Sequence, residues 1–178
     1  MRTSRGEQNT EAYRRINPRG KVPALETEEG VLTESTAILP YLADRAPEKR
    51  LFPSAGSFER SLGQAWLSYL SSTLHVALSA AMFPMEGCDN ELARRATLRR
   101  VEAAFLDVDS HLDGRDRLLD KFSVCDLYLL VFALWRAAPA FAGKLAALPN
   151  LDRFQHNLLA RPALAAIVGE DVRLRAEG

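Results

Sequence analysis

Read from its N-terminus, the chain changes hydrophobic rhythm twice. Residues 1–20 are polar, and Glu7 to Arg15 predicts no more than a short, weakly patterned helix. Asn17-Pro18-Arg19-Gly20 reads as a turn, because proline fixes φ and glycine tolerates positive φ. Val22 to Thr27 and Val31 to Thr33 read as two short antiparallel strands around Glu28-Glu29-Gly30. A hairpin of that size is not stable alone. From Ser35 to Arg45 the apolar residues Ile38, Leu39, Tyr41 and Leu42 fit one buried helix face, with Pro40 an oddity in its interior.

Ala46 to Ser57 carries Pro47, Pro53 and Gly56, the composition of a linker. The expected division is therefore residues 1–46, a linker over 47–56, and a helical domain over 57–178. Ser57 to about Met82 has apolar residues at Leu62, Ala65, Trp66, Tyr69, Val76, Ala77 and Ala80, a helical period that Phe83-Pro84 and Gly87 end. Asp89 to Leu112 predicts a second long helix with Leu92, Ala96, Val101, Ala104, Phe105 and Val108 inward. Val124 to Arg136 is apolar on all sides and should be the buried central helix. Pro139, Pro149 and Pro162 punctuate the remainder into short helices. The fold class is α+β, mostly α: a small α/β part followed by an all-α bundle.

Composition changes this picture little but excludes several functions. The 178 residues are 47% apolar and 26% charged, ordinary for a globular chain that can bury its own core. Lys+Arg and Asp+Glu both number 23. A zero net charge lacks the basic surplus that nucleic acid or an anionic membrane surface demands. No run approaches the ~20 apolar residues of a membrane span. The polar start has no signal-peptide core, so a cytoplasmic location is expected. Cys88 and Cys125 form no C-x-x-C pair, and no metal is expected. Cys88, after a glycine, could be a reactive thiol, but nothing marks its pKa as lowered; Cys125 reads as a small core residue.

Four local patterns carry candidate chemistry. Ser123-Val124-Cys125-Asp126 has the form of a capping box, a folding device. Val22-Pro23 is either an ordinary start to a strand or an uncommon cis bond in a turn. Glu34-Ser35 sits where a strand ends and a helix starts, which is an anion site as well as a place for an N-cap. His75 shares a polar helical side with Ser68, Ser71, Ser72 and Ser79, which must face solvent or a cleft.

Four segments in order resemble the glutathione transferase family. They are Asn17-Pro-Arg-Gly-Lys-Val-Pro-Ala-Leu25; Leu32-Thr-Glu-Ser-Thr-Ala-Ile-Leu39 with Tyr41-Leu42-Ala43; Trp66-Leu-Ser-Tyr-Leu-Ser-Ser-Thr-Leu-His75; and Phe122-Ser-Val-Cys-Asp-Leu-Tyr-Leu129. The third is similar to the bacterial, beta-like class, except that Ser68 stands where that class often has Asn and Val76 where it often has Lys. The resemblance implies a partial thioredoxin-like glutathione-binding domain before the helical one. It implies that Val22 offers its main chain to the cysteinyl part of glutathione, with Pro23 cis. It implies that Ser35 takes the γ-glutamyl carboxylate and Glu34 the ammonium, and that His75, with Ser68, lines the cleft near the thiol. Glutathione is then the co-substrate, a small hydrophobic electrophile the second substrate, and a homodimer the assembly.

In that family a strand, a helix and a strand precede the segment matched here, and the Ser, Tyr or Cys that activates the thiol follows the first strand. That residue is expected to be absent, since Thr3 and Ser4 do not fall in its place. The Val22–Thr27 strand is then expected to expose an edge. A start assigned too late, a deliberately shortened chain and a genuine short paralogue all remain open. So do three functions: a transferase adding the glutathione thiolate to an electrophile, a related glutathione-dependent isomerase, dehalogenase or reductase, and a non-catalytic binding or dimerisation module on the same fold.

Overall fold

The computed structural model describes residues 5–84 and 90–176, and it is mostly helical. After a 3-10 turn at Glu7–Asn9 come α1 (Glu11–Ile16), β1 (Ala24–Thr27), β2 (Gly30–Thr33) and α2 (Ser35–Asp44). A second 3-10 turn, Pro47–Lys49, lies in the proline-bearing connection. The bundle consists of α3 (Phe58–Tyr69), a π turn (Leu70–Leu74), α4 (His75–Met82), α5 (Glu91–His111), α6 (Val124–Trp135), α7 (Pro149–Leu159) and α8 (Pro162–Ala176). Cys88 and Gly87, like Thr3 and Ser4, lie outside the described residues. Among the described residues no helix is long and apolar enough to cross a membrane.

The hairpin is antiparallel, with Ala24 opposite Thr33 and Thr27 opposite Gly30. The first strand starts two residues later than its apolar pattern suggests. Pro23 has no N–H to give a ladder, so the pairing begins beyond it. At the turn, the Thr27 hydroxyl donates to the Gly30 carbonyl at 2.8 Å and accepts from the Glu29 N–H at 3.2 Å. Pro40 lies inside α2 and is buried.

The long helix expected over Ser57–Met82 is interrupted by the π turn, which fits one extra residue into the coil. Its buried stripe is Gly63, Leu67, Leu70, Leu74, Ala77 and Leu78. Leu62 and Val76, counted with the apolar period, are instead exposed. Two apolar stripes compete along this helix, and the one with more branched aliphatic bulk turns inward. Leu92 is likewise exposed in the first turn of α5, whereas Val101, Ala104, Phe105 and Val108 are buried.

The start of α6 is held by several buried hydrogen bonds. The capping box closes: Ser123 Oγ accepts from the Cys125 N–H at 3.2 Å, and Asp126 Oδ2 accepts from the Ser123 N–H at 2.8 Å. Asp126 Oδ1 also accepts from the Leu118 N–H at 2.8 Å, which ties in the preceding loop. Burial pushes the Asp126 carboxyl up, and these hydrogen bonds oppose the shift. The Val124 N–H donates to the Leu51 carbonyl at 2.9 Å, anchoring the linker to the bundle. Cys125 is fully buried and its Sγ donates to the Gly63 carbonyl at 3.3 Å. Burial pushes that thiol up to about 12, the behaviour of a core residue.

Candidate functional site

The turn before the hairpin is fixed from three sides. Asn17 is buried; its Nδ2 donates to the Lys21 carbonyl at 2.7 Å and its Oδ1 accepts from the Arg19 N–H at 3.2 Å. The Tyr13 hydroxyl donates to the same Lys21 carbonyl at 2.7 Å. Gly20 closes the turn at φ 60, donating to the Asn17 carbonyl at 2.9 Å. The loop therefore has one shape, and it presents Val22 and Pro23 at the surface with the bond between them cis.

The second strand delivers Glu34 in an unusual conformation, φ 71 and ψ 124. A non-glycine residue at positive φ is strained, and such strain gathers at functional sites. Glu34 is the N-cap of α2, its carbonyl accepting from Ala37 and Ile38 at 3.0 and 2.9 Å. Its carboxylate makes no capping bond and is exposed. Ser35 is the first helical residue, so the N-cap reading of Ser35 gives way to Glu34, one residue earlier. The first N–H groups of a helix have no partner within it and favour an anion. One carboxylate and one ring of free donors thus stand side by side, matched to a ligand carrying an ammonium next to a carboxylate.

A third group comes from the bundle. Tyr128 of α6, a helix that packs on α2, is half-buried, and the Ser35 hydroxyl and the Glu34 charge both act on its phenol. Burial raises the phenol's pKa, the Ser35 hydroxyl opposes that, and the Glu34 charge adds to the rise. From Tyr128 a row of rings runs along α6: Phe132 is 4.8 Å away and Trp135 lies 5.5 Å beyond Phe132. His75 packs against both, 5.4 Å from Phe132 and 5.5 Å from Trp135. Burial lowers its pKa, so the imidazole is neutral near pH 7.

His75 is therefore half-buried against α6 instead of lying in the polar stripe with Ser68. The π turn between them carries one extra residue, which moves His75 about 100° round the axis from its place in an unbroken α-helix. Ser68 is exposed, and its carbonyl accepts from the Ser71 and Ser72 hydroxyls at 3.0 and 2.8 Å. The structure sets Glu34 and Ser35 side by side at the start of α2 and joins His75 to Tyr128 on α6 through Phe132. Tyr128 was not singled out from sequence. Its one local signal is the spacing of Tyr128, Phe132 and Trp135 at i, i+4 and i+7, a single helical face.

A separate cleft of about 730 Å³ lies between the linker, α3 and the loop before α6, with Trp66 and His111 in its wall. Its rim mixes Arg50, Arg115 and Lys121 with Glu59 and Asp120, so it selects no ligand charge. No group of three or more His, Cys, Asp or Glu arranged to hold a metal occurs among the described residues.

Comparison with known proteins places this geometry in context. Residues 2–50 match the family model described as glutathione S-transferase, N-terminal domain. Glutathione S-transferase GstA of Escherichia coli O157:H7 is 31% identical over 152 residues, covering 84% of this chain and 70% of that protein. Glutathione S-transferase GST-4.5 of Xanthomonas campestris pv. campestris is 31% identical over 175 residues, covering 93% of this chain and 80% of that one. A sphingomonad glutathione S-transferase solved in complex with glutathione superposes with a TM-score of 0.78 at 34% identity, over 89% of this chain and 77% of that one.

Proposed function

The chain belongs to the glutathione S-transferase family, and from that premise we propose that it binds glutathione at the Glu34–Ser35 corner and transfers the thiol to small apolar electrophiles. The observation that carries this reading is the juxtaposition at the start of α2. The uncommitted Glu34 carboxylate, held at φ 71, stands beside the free N–H groups of the helix. A γ-glutamyl group has one ammonium and one carboxylate on the same carbon, and this corner offers one partner for each. Val22, exposed ahead of its cis bond to Pro23, offers main-chain groups to the cysteinyl part. His75, neutral and set among Phe132 and Trp135, forms the wall against which thiol and electrophile meet. Ser68, exposed on α3, would touch the ligand only from the outer rim.

The same reading divides the chain into a glutathione-binding part over 1–46, a linker over 47–56 and a helical domain over 57–178. It makes the protein a cytoplasmic homodimer. Phe58 and Leu62 on α3 and Leu106 on α5 are exposed apolar residues suited to a two-fold contact. Sedimentation should give twice the chain mass, and Phe58→Glu should return it to one.

Calorimetric titration of glutathione into the purified chain tests the central claim. Saturable binding is expected, weakened about tenfold or more in Glu34→Gln, which loses the charge that pairs with the ammonium. No binding by a folded protein would reject the transferase reading and leave a binding or dimerisation module on the same fold.

A further inference from the structure

One side chain joins α2, the linker and α3. Arg60, in the first turn of α3, donates to both oxygens of the Asp44 carboxylate through its two terminal nitrogens, at 2.8 and 2.7 Å. The same guanidinium donates to the Pro53 carbonyl at 2.9 Å and lies over the Phe52 ring, 4.3 Å from its centroid. Its main chain is fixed too, since the Arg60 N–H donates to the N-cap hydroxyl of Ser57 at 3.1 Å. We propose that Arg60 is a positioning residue for the transfer reaction: its fork on Asp44 sets α2, which carries Glu34 and Ser35 at its far end, at the angle that brings a bound glutathione thiol to the His75 wall. This rests on the reading of the Glu34–Ser35 corner as the glutathione site and of His75 as part of the wall where thiol and electrophile meet.

The two halves of the proposed site stand on different elements. Glu34 and Ser35 open α2, whereas His75 opens α4, which continues the line of α3 through the π turn. Leu39 and Ala43 hold α2 against the core, but apolar contacts have no direction and let one helix rock on another. A bidentate fork does have direction, because both of its bonds survive in one relative setting only. Asp44 is the last residue of α2 and Ser35 the first, about 14 Å apart along the helix axis. A rock of about 5° at the Asp44 end therefore moves the Ser35 end by roughly 1 Å, and a misplacement of that size can cost about a hundredfold where two reactants must be aligned. The Arg60 side chain is only 18% exposed, so water competes less for this fork than for a pair on the open surface. The Arg60 hydrogen bond holds the Asp44 carboxyl below its ordinary value, and Asp44 in turn pushes Arg60 up, so the pair stays ionised at neutral pH.

Two ligands separate position from stability. Glutathione rests on the first part of the chain, whereas S-benzylglutathione adds a phenyl ring that must also reach the rings of His75, Phe132 and Trp135 on the bundle. In the wild type the added ring should tighten binding about tenfold or more, the value of burying an apolar group of that size. Arg60→Lys keeps the charge and loses the fork; it should bind glutathione within about twofold of the wild type and lose most of the advantage of S-benzylglutathione. Asp44→Asn, a small change at an exposed carboxylate, should do the same, and the double variant should lose no more than either one. The ratio of two affinities measured on one protein is independent of its folded fraction, so destabilisation alone leaves that ratio unchanged. An advantage kept in full by both single variants would overturn the proposal and leave the glutathione site intact. So would a parallel loss of both ligands, or losses that add in the double variant. No glutathione binding by the folded wild type, or no advantage of S-benzylglutathione there, would overturn the site and this inference together.

Discussion

Gly63 has no room for a methyl group. A Cβ there would lie 2.4 Å from Cε2 and 2.9 Å from Cζ of Phe52, and 3.3 Å from Cδ1 of Leu119. Phe52 is buried and its face is covered by the Arg60 guanidinium, which itself bonds Asp44 at 2.7 and 2.8 Å. The ring therefore cannot swing away cheaply. Gly63→Ala should destabilise the fold by about 1–3 kcal/mol, the usual cost of overpacking, although alanine is the better helix former; urea denaturation would measure it. His75 sets a second expectation at this scale. Burial depresses its folded pKa below the model-peptide value of 6.5. Between that value and the lower folded one, the unfolded chain binds the proton more readily, so stability falls as pH drops through this window. Above the window both states are neutral and the dependence disappears. Thermal midpoints recorded down from neutral pH should show the decline, and His75→Gln should flatten it.

Helix caps and phase decide the elements. Ser123→Ala removes the acceptor for the Cys125 N–H and should cost about 1 kcal/mol. Asp126→Ala strands the Ser123 and Leu118 N–H groups together in a buried place, for about 2–4 kcal/mol. Asp126→Asn, which keeps an oxygen acceptor, should fall between them in equilibrium unfolding at constant slope. The π turn makes a different prediction. It holds one residue more than an α-helix needs, so deletion of the exposed Ser72 should preserve the phase of the flanking helices and be tolerated. Deletion of exposed Gln64, inside the regular part of α3, should rotate everything after it and unfold the bundle. Calorimetric melting of the two deletions side by side would decide this. Here the limits of reading a sequence become physical. The capping box, the Asn17–Gly20 turn and the Glu34–Ser35 pair were legible because each is written within a few consecutive residues. The π turn was not, because Leu70–Leu74 has no local signature and an even helical period looks correct through it. His75 was placed with Ser68 for that reason. Tyr128 escaped because the groups that act on its phenol, Ser35 and Glu34, lie in another part of the chain, and in its own helix it is one ring among several.

The whole molecule has its stability in one place. Every fully buried member of the main apolar cluster among the described residues lies at Ala43 or later, while Tyr13 and Ile38 are buried outside it. The hairpin has two strands of four residues each, too few to be stable without support. It is tied to the bundle through α2, by Leu39 against the core and by Asp44 with Arg60. Two tiers of stability follow. Amides of α5, α6 and the Leu67–Leu78 stretch should exchange with solvent only on global unfolding, those of β1 and β2 by easier local opening, and those of α2 at intermediate rates. Equal protection from Tyr13 through Leu158 would show instead that both parts unfold as one unit. Glutathione provides the decisive comparison, because its proposed site lies where β2 ends and α2 begins, and α2 packs on α6. If only the closed arrangement binds, ligand at 100 times its dissociation constant adds about 2.7 kcal/mol to that closure. Exchange at Ile38–Leu42 should then slow by up to about a hundredfold. A ligand that left these amides unchanged while still binding would have to rest on one part alone, and the corner formed by Glu34 and Ser35 would not be where it sits.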